Sequence, residues 1–347
     1  MRILVTGATG LIGCHAAARL VAAGHEVRAL VRDPAKLARV LAPFPGAAAG
    51  VEARRGDLGD APAVAAALAG CDGALHCAGV FSHELASAER LRRVNVEGAR
   101  GVLSAAAEAG ARAIVHVSSL VALRFPPPGP EQRADDPVGR PRAMYGATKA
   151  RAEEIARELA ARGAPVSIVY PSSVHGPHDP TVGSGPEFIS GAIRAGRVLV
   201  TEGGLSYTDV RDLADLLAAL FAGPRAPARW MAPARFLSHE RYHALLCEIT
   251  GRRLAALRLP GRALRLLGSA GDLRQRLLGH ELRLTREAAE ILTRSTPVDD
   301  RAARALLGRD PIAIERSFRD LLVWMHAAGV LAAGHVGRLA APADPSD

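Results

Sequence analysis

The chain opens on a strand-like run, Arg2–Thr6, that passes directly into Gly7-Ala8-Thr9-Gly10-Leu11-Ile12-Gly13 and then into an apolar helical stretch. Few local patterns restrict a fold as much. Glycines at this spacing between a strand and a helix permit a tight turn and close approach of backbone N–H groups to a pyrophosphate, which then sits at the positive end of the helix. The spacing is GxxGxxG rather than GxGxxG. Gly7, Thr9, Gly10, Leu11, Ile12 and Gly13 are therefore candidate dinucleotide contacts.

Short apolar runs alternate with helical stretches through the first half of the chain. Strands are predicted at Arg2–Thr6, Glu26–Val31, Val51–Arg54, Gly73–Cys77, Ala113–Ser118 and Val166–Tyr170. Helices are predicted at Leu11–Ala23, Pro34–Leu41, Ala61–Ala69, Ala86–Ala109 and Met144–Arg162, and Gly24, Gly110 and Gly163 stand just past three of them as caps. This order predicts an α/β fold, a doubly wound parallel sheet of the Rossmann type with a smaller C-terminal substrate-binding lobe. The expected division is 1–170, with about 205–230, for the dinucleotide domain. Residues 171–204 and 231–334 form the expected lobe, with a closing helix near Pro311–Ala328, and 335–347 a frayed tail. Six prolines between Arg124 and Pro141 predict a loop there.

Bulk properties narrow the class. At 347 residues and 49% hydrophobic content the chain can bury a large core. The N-terminal apolar run is too short for a signal peptide, and no stretch reaches the roughly 18 apolar residues of a membrane span. Cys14, Cys71, Cys77 and Cys247 show no CxxC spacing, which suits a reduced, cytoplasmic setting. The net charge of +9 comes from arginine, and no nucleic-acid-binding motif accompanies it. Seven arginines against the single acid Asp272 fall between Gly251 and Leu278, interleaved with leucines. That segment reads either as a lid helix with a solvated basic face or as a membrane-surface helix, and the first is favoured. His175 and His178 lack a third ligand at useful spacing, so no metal site is expected.

The second predicted strand ends in Arg32 where an acidic residue would hold a free ribose 2′-hydroxyl; an arginine there pairs with a 2′-phosphate, which points to NADP over NAD. Asp33 keeps NAD possible if it turns inward, and Lys36 either assists the phosphate or lies on the surface. Asp57 and Leu58 follow the third strand, where adenine would lie, and Cys77, Ala78 and Gly79 end the fourth with small residues. Asn95 is the sole asparagine of the chain and sits in the long helix beside the cofactor strands.

Ser119 follows the fifth strand, 26 residues before Tyr145, and Lys149 stands one helical turn after Tyr145. Of 44 basic residues only Lys36 and Lys149 are lysines, so the choice at 149 is notable in a chain that otherwise uses arginine. A cation at roughly 5 Å and an effective dielectric of about 20 favours a phenolate by on the order of 3 kcal/mol, roughly two pKa units. The expectation is a Tyr145 pKa lowered toward neutrality.

Together these residues resemble the short-chain dehydrogenase/reductase superfamily, in its extended branch of NAD-dependent epimerases, dehydratases and dihydroflavonol-reductase-like enzymes. The resemblance extends to Tyr207–Ala214, similar to V-D-V-R-D-hydrophobic-A, and to Pro297–Ala302. It also covers Tyr170–Asp179, similar to R-P-x-x-V-Y-G-P-x-D but with Tyr170 for Arg and His175 for Tyr. It implies that Ser119 orients a substrate carbonyl, Tyr145 gives or takes its proton, Lys149 holds the nicotinamide ribose, and Asn95 supports the hydrogen-bond system. It implies Tyr170, Pro171 and Ser173 as further cofactor contacts, and a homodimer joined through the Ala86–Ala109 and Met144–Arg162 helices. The expected activity is hydride transfer between nicotinamide and a carbonyl or alcohol of a small, fairly apolar molecule. The alternatives are a nucleotide-sugar epimerase or dehydratase with tightly bound NAD, and a non-catalytic NADP-binding sensor or interaction protein.

Overall fold

Central strands of a sheet covered on both faces are mostly apolar, and those of this chain are, with Thr6, His76 and His116 as buried polar exceptions. In the computed structural model, which describes residues 1–81, 87–124, 131–141, 143–223, 228–278 and 284–340, the predicted alternation becomes a seven-stranded parallel sheet. The elements run β1 (Arg2–Thr6), α1 (Leu11–Ala22), β2 (Glu26–Val31), α2 (Pro34–Leu41), α3 (Ala47–Gly50), β3 (Val51–Arg55), α4 (Ala61–Leu68), β4 (Gly73–His76) and α5 (Ala88–Leu91). A π-helical segment, Arg92–Gly98, leads into α6 (Ala99–Glu108), β5 (Ala113–Val117), α7 (Met144–Ala161) and β6 (Val166–Tyr170).

Strand order is β3-β2-β1-β4-β5-β6, with β10 (Arg229–Met231) added beyond β6. The chain leaves β3 at one edge and re-enters beside β1, so the switch point lies between β1 and β4, where ligands bind in such sheets. The central strands β1, β4 and β5 are buried nearly throughout, while edge strand β3 exposes Glu52, Arg54 and Arg55. Helix starts follow capping chemistry: Asp33 accepts from Lys36 N at 3.1 Å with Pro34 following, and Asp60 accepts from Ala63 N at 3.1 Å. Gly24, Gly110 and Gly163 take the left-handed conformations expected of caps.

The later chain supplies β7 (Ser173–His175), α8 (Ser184–Ala195), β8 (Arg197–Val200), β9 (Gly204–Asp209), α9 (Val210–Ala219), β11 (Arg235–Ser238), α10 (His239–Thr250), β12 (Ala255–Arg258), α11 (Gly261–Leu278), α12 (Arg286–Arg294), α13 (Arg301–Leu307), α14 (Ile314–Ala327) and α15 (Ala333–Val336). A three-stranded sheet, β11-β9-β7, and the pair β12-β8 accompany a separate apolar core around Tyr207, Tyr242, Phe318 and Met325. Two further cores flank the large sheet, one under α1 and α9, the other under α4, α6 and α7.

Two expectations need correction. The long helix expected at Ala86–Ala109 is interrupted by the π segment, so its register shifts around Asn95; residues 82–86 lie outside the described ones. The tail expected to fray from 335 instead continues as helix to Val336 and a 3₁₀ turn to Ala340, because Val336 is fully buried and Arg252 donates to the His335 carbonyl at 2.8 Å. Residues 341–347, and 125–130 within the expected loop, lie outside the described ones. No described helix is long and apolar enough to cross a membrane.

Candidate active site

The glycines after β1 have separate jobs. Gly7 has φ +76, and a Cβ there would come within 2.7 Å of Ala78 N; a Cβ on Gly13 would lie 2.1 Å from the Gly7 carbonyl oxygen. Backbone therefore packs on backbone at both, bringing the turn against the end of β4. Gly10 is different: its Cβ would meet the Gly7 oxygen at an ordinary 3.5 Å, so the protein itself does not require glycine there. Gly10 N donates to Gly7 O at 3.0 Å and precedes α1, whose first turn has neither a side-chain cap nor an acid. That leaves positive N–H groups for an anion. A cradle without Cβ atoms beside an uncapped helix start fits a dinucleotide pyrophosphate, and Gly7, Thr9, Gly10, Leu11, Ile12 and Gly13 would hold it.

Where the adenosine is expected, Arg32 and Asp57 stand exposed at the ends of β2 and β3, 4.0 Å apart. Asp33 is committed to capping α2, so the acidic alternative to Arg32 points along its own helix. Asp57 also accepts from Gly59 N at 2.9 Å, and Leu58 packs on the core beside Gly98. Cys77, Ala78 and Gly79 run from the glycine turn toward Asn95, as the small-residue pattern requires.

Asn95 ties this region together. Its side chain accepts from Val80 N at 2.8 Å and donates to Val80 O at 2.9 Å and to Thr148 Oγ1 at 3.1 Å. Thr148 Oγ1 in turn donates to the Tyr145 carbonyl at 2.8 Å. One amide thus holds the strand-end loop and the first turn of α7 at fixed separation, and the π segment aims it there.

On α7, residues 145, 149, 153 and 157 form one ridge at helical spacing. The Tyr145 phenol is hydrogen-bonded by Ser119 and flanked edge-on by Phe81, ring centroids 4.7 Å apart. Lys149 is buried and donates to the Val117 carbonyl at 3.1 Å, two residues before Ser119. Glu153, fully buried, receives Arg157 Nε at 2.7 Å and the Tyr170 hydroxyl at 2.6 Å. Ser119, Tyr145 and Lys149 therefore converge at the end of β5, next to the switch point.

The electrostatics overturn one expectation. Burial in the crevice pushes Tyr145 up to about 12; the Ser119 hydrogen bond pulls the other way, and the Glu287 carboxylate adds to the rise. Lys149 is itself lowered to about 8 by burial, with Glu153 and then Cys77 opposing. Desolvation outweighs the Ser119 hydrogen bond, so the phenol stays protonated at neutral pH rather than approaching its phenolate, while the Lys149 ammonium directs its hydrogen bond to the Val117 carbonyl. Beneath Lys149 lie two stacked imidazoles, His76 and His116, centroids 5.5 Å apart; burial first and the lysine charge second keep both neutral.

Tyr170 also departs from expectation. Its side chain is fully buried on the α7 face of the sheet with its hydroxyl on Glu153, and its carbonyl accepts from Ala232 N, so it anchors α7 rather than facing the crevice. Strand alternation carried this signal, since Val166, Ile168 and Tyr170 share one parity and one core. Pro171 accepts from Leu120 N at 3.2 Å and Ser173 begins β7, both at the crevice edge of the large sheet. His175 is locked at 2.8 Å to Ser317, which donates to Asp209, and the His178 ring faces His15, Phe44 and Trp324.

Glu287, on α12, had no signal in the sequence. Its Oε1 accepts from Gly146 N at 3.0 Å, capping α7 from another element next to the phenol. Glu287→Ala is expected to lower stability by about 1–3 kcal/mol by leaving that buried N–H unpaired, whereas Glu287→Gln, which keeps an acceptor, should retain most of it. Urea unfolding of the two variants beside the parent checks this.

A family model for the NAD dependent epimerase/dehydratase family matches residues 3–229, well over half of the chain. The chain belongs to this family. Within the extended short-chain dehydrogenase/reductase superfamily, this epimerase/dehydratase chain is a nicotinamide-dependent enzyme of the oxidoreductase or epimerase kind. It is 29% identical over 340 residues to sterol demethylase protein B of Methylococcus capsulatus, covering 95% of this chain and 100% of that one. It is 30% identical over 315 residues to the 4-hydroxy-2-methyl-3-oxo-4-farnesyl-3,4-dihydroquinoline-1-oxide ketoreductase of Stigmatella aurantiaca, covering 89% and 91%. Among solved structures, that of gox2253 superimposes with a TM-score of 0.78 at 27% identity over 94% of this chain and 98% of that one.

Proposed function

We propose that this chain is an NADP-preferring oxidoreductase that interconverts a carbonyl and an alcohol on a small, fairly apolar molecule. The observation that carries the reading is a protonated phenol, Tyr145, hydrogen-bonded by Ser119 beside the buried cation Lys149. When bound, the reduced nicotinamide supplies the hydride to the substrate carbon. Ser119 donates a hydrogen bond to the substrate oxygen and fixes its position. The Tyr145 O–H bond breaks as that oxygen gains charge, the proton passing to it to complete the alcohol. Lys149 then stabilises the phenolate left behind, and solvent restores its proton. In the oxidising direction the same groups run in reverse, with the phenolate as base. With its pKa raised, the acid form of Tyr145, the proton donor needed for reduction, is populated throughout the physiological range.

A carbonyl on an apolar skeleton is supported by the names of two relatives, one a ketoreductase of a farnesylated quinoline oxide, the other a sterol demethylase protein. The preference for NADP is supported by the open guanidinium of Arg32 and by the use of Asp33 as a helix cap. Arg32→Ser is expected to raise the KM for NADPH about 10- to 100-fold, the value of one charge-assisted contact to a phosphate, with little change for NADH. Initial rates with both cofactors decide it. A parent enzyme that prefers NADH, or that carries tightly bound NAD and turns over without net cofactor consumption, sinks this reading in favour of an epimerase or dehydratase.

A further inference from the structure

Helix α11 carries the largest apolar exposure of the described residues, and the reaction proposed above makes no use of it. At 100° per residue its inner side is set by Leu264, 2% exposed, and by Gly268, where a Cβ would meet the Thr285 carbonyl at 2.6 Å. The opposite side brings Leu266, Ala270 and Leu273 into one ridge. Leu266 is 73% exposed, Leu273 58%, and Leu267, beside them, 52%. Exposed Arg262 and Arg274 stand at the two margins of this ridge. The remaining polar side chains are drawn inward, Arg265 donating to Thr293 Oγ1 at 2.8 Å and Asp272 accepting from Arg286 N at 3.4 Å. Among the described side chains of α11, the outer face thus holds three leucines and two arginines, and no acid.

We infer that this face of α11 docks the protein on an anionic phospholipid surface, the helix lying in the interface with its leucines among the acyl chains and its arginines at the headgroups. An apolar ridge bordered by arginines, whose long stems let the charge reach outward, is the arrangement an interfacial helix needs. A second copy of the chain fits poorly, because a two-fold contact through this ridge sets Arg262 and Arg274 against their own kind. The ridge of one helix also falls well short of the about 800 Å² per partner of a stable protein interface. The flanking segment adds exposed Arg253 and Leu257, while Arg258 is paired with Glu240 at 3.3 Å, and the whole chain carries a net charge of +9. This departs from the lid reading favoured on sequence and does not depend on the identity of the substrate.

Flotation of the full chain with vesicles of phosphatidylcholine alone and of phosphatidylcholine with phosphatidylglycerol tests it, with the double variant Leu266→Asp/Leu273→Asp beside the parent. Expected is binding to the anionic vesicles that weakens with added salt and falls at least about tenfold in the double variant, whose thermal melt and NADPH binding match the parent. Absence of binding to anionic vesicles, or equal binding by the double variant, overturns the inference. So does a parent that ignores vesicles but self-associates in sedimentation and is made monomeric by the two substitutions.

Discussion

Tyr145→Phe is expected to lower turnover by about 10²–10⁴-fold while NADPH binds as before, because the ring stays and only the acid is lost. The phenol is the transferable proton nearest the Ser119 hydroxyl, and its resting pKa of about 12 makes it a donor, not a base, at neutral pH. The same geometry sets a pH limit. Lys149 is charged below about 8, and in the proposed reaction its cation would stabilise the phenolate formed as the proton leaves. As pH rises through about 8 the lysine loses that charge, so kcat/KM for reduction should fall on the alkaline side well before the tyrosine itself ionises. Rate profiles of the parent with NADPH and a turned-over carbonyl compound check the limb, and NADPH titration of the Phe variant checks the split between binding and chemistry. Unchanged turnover in Tyr145→Phe would exclude the proton path described here.

The second large effect separates two glycines of one turn. Gly13→Ala places a methyl 2.1 Å from the Gly7 carbonyl oxygen, a backbone atom that cannot give way without opening the turn. Expected is a loss of stability of about 3 kcal/mol, the upper end for forced overpacking, together with the loss of measurable NADPH binding. Gly10→Ala meets the same oxygen at 3.5 Å, with Gly10 already at an ordinary φ of −110, and should melt like the parent. Its methyl instead occupies the space through which a pyrophosphate approaches the helix start, so NADPH affinity should fall roughly 10- to 100-fold. Thermal melts and NADPH titrations of the two variants give the contrast. A Gly10→Ala protein that binds NADPH as tightly as the parent would place the phosphates elsewhere.

Much of this site was legible because its signals are local. The first glycine turn, the largely apolar central strands, the caps at Gly24, Gly110 and Gly163 and the Tyr145–Lys149 spacing each follow from a few adjacent residues. Asn95 stood out by being the only one of its kind, and its three side-chain hydrogen bonds give that rarity a physical reason. What escaped depended on packing between distant parts. The π segment adds one residue to a turn without disturbing the apolar pattern around it, so periodicity read one continuous helix. Glu287 reaches α7 from 141 positions away. The direction of the Tyr145 shift turned on its burial, and side-chain spacing carries no measure of burial. Tyr170 is legible from strand parity, since it shares the buried face of β6 with Val166 and Ile168, whereas the motif resemblance implies a cofactor contact.

The most direct measurement for the account as a whole is equilibrium titration of the purified chain with NADPH and with NADH, followed by the fluorescence of the reduced nicotinamide. Saturable binding at one site per chain, tighter for NADPH and weakened by Arg32→Ser and Gly10→Ala, is the predicted result. Failure of either dinucleotide to bind a folded protein free of endogenous cofactor would contradict it.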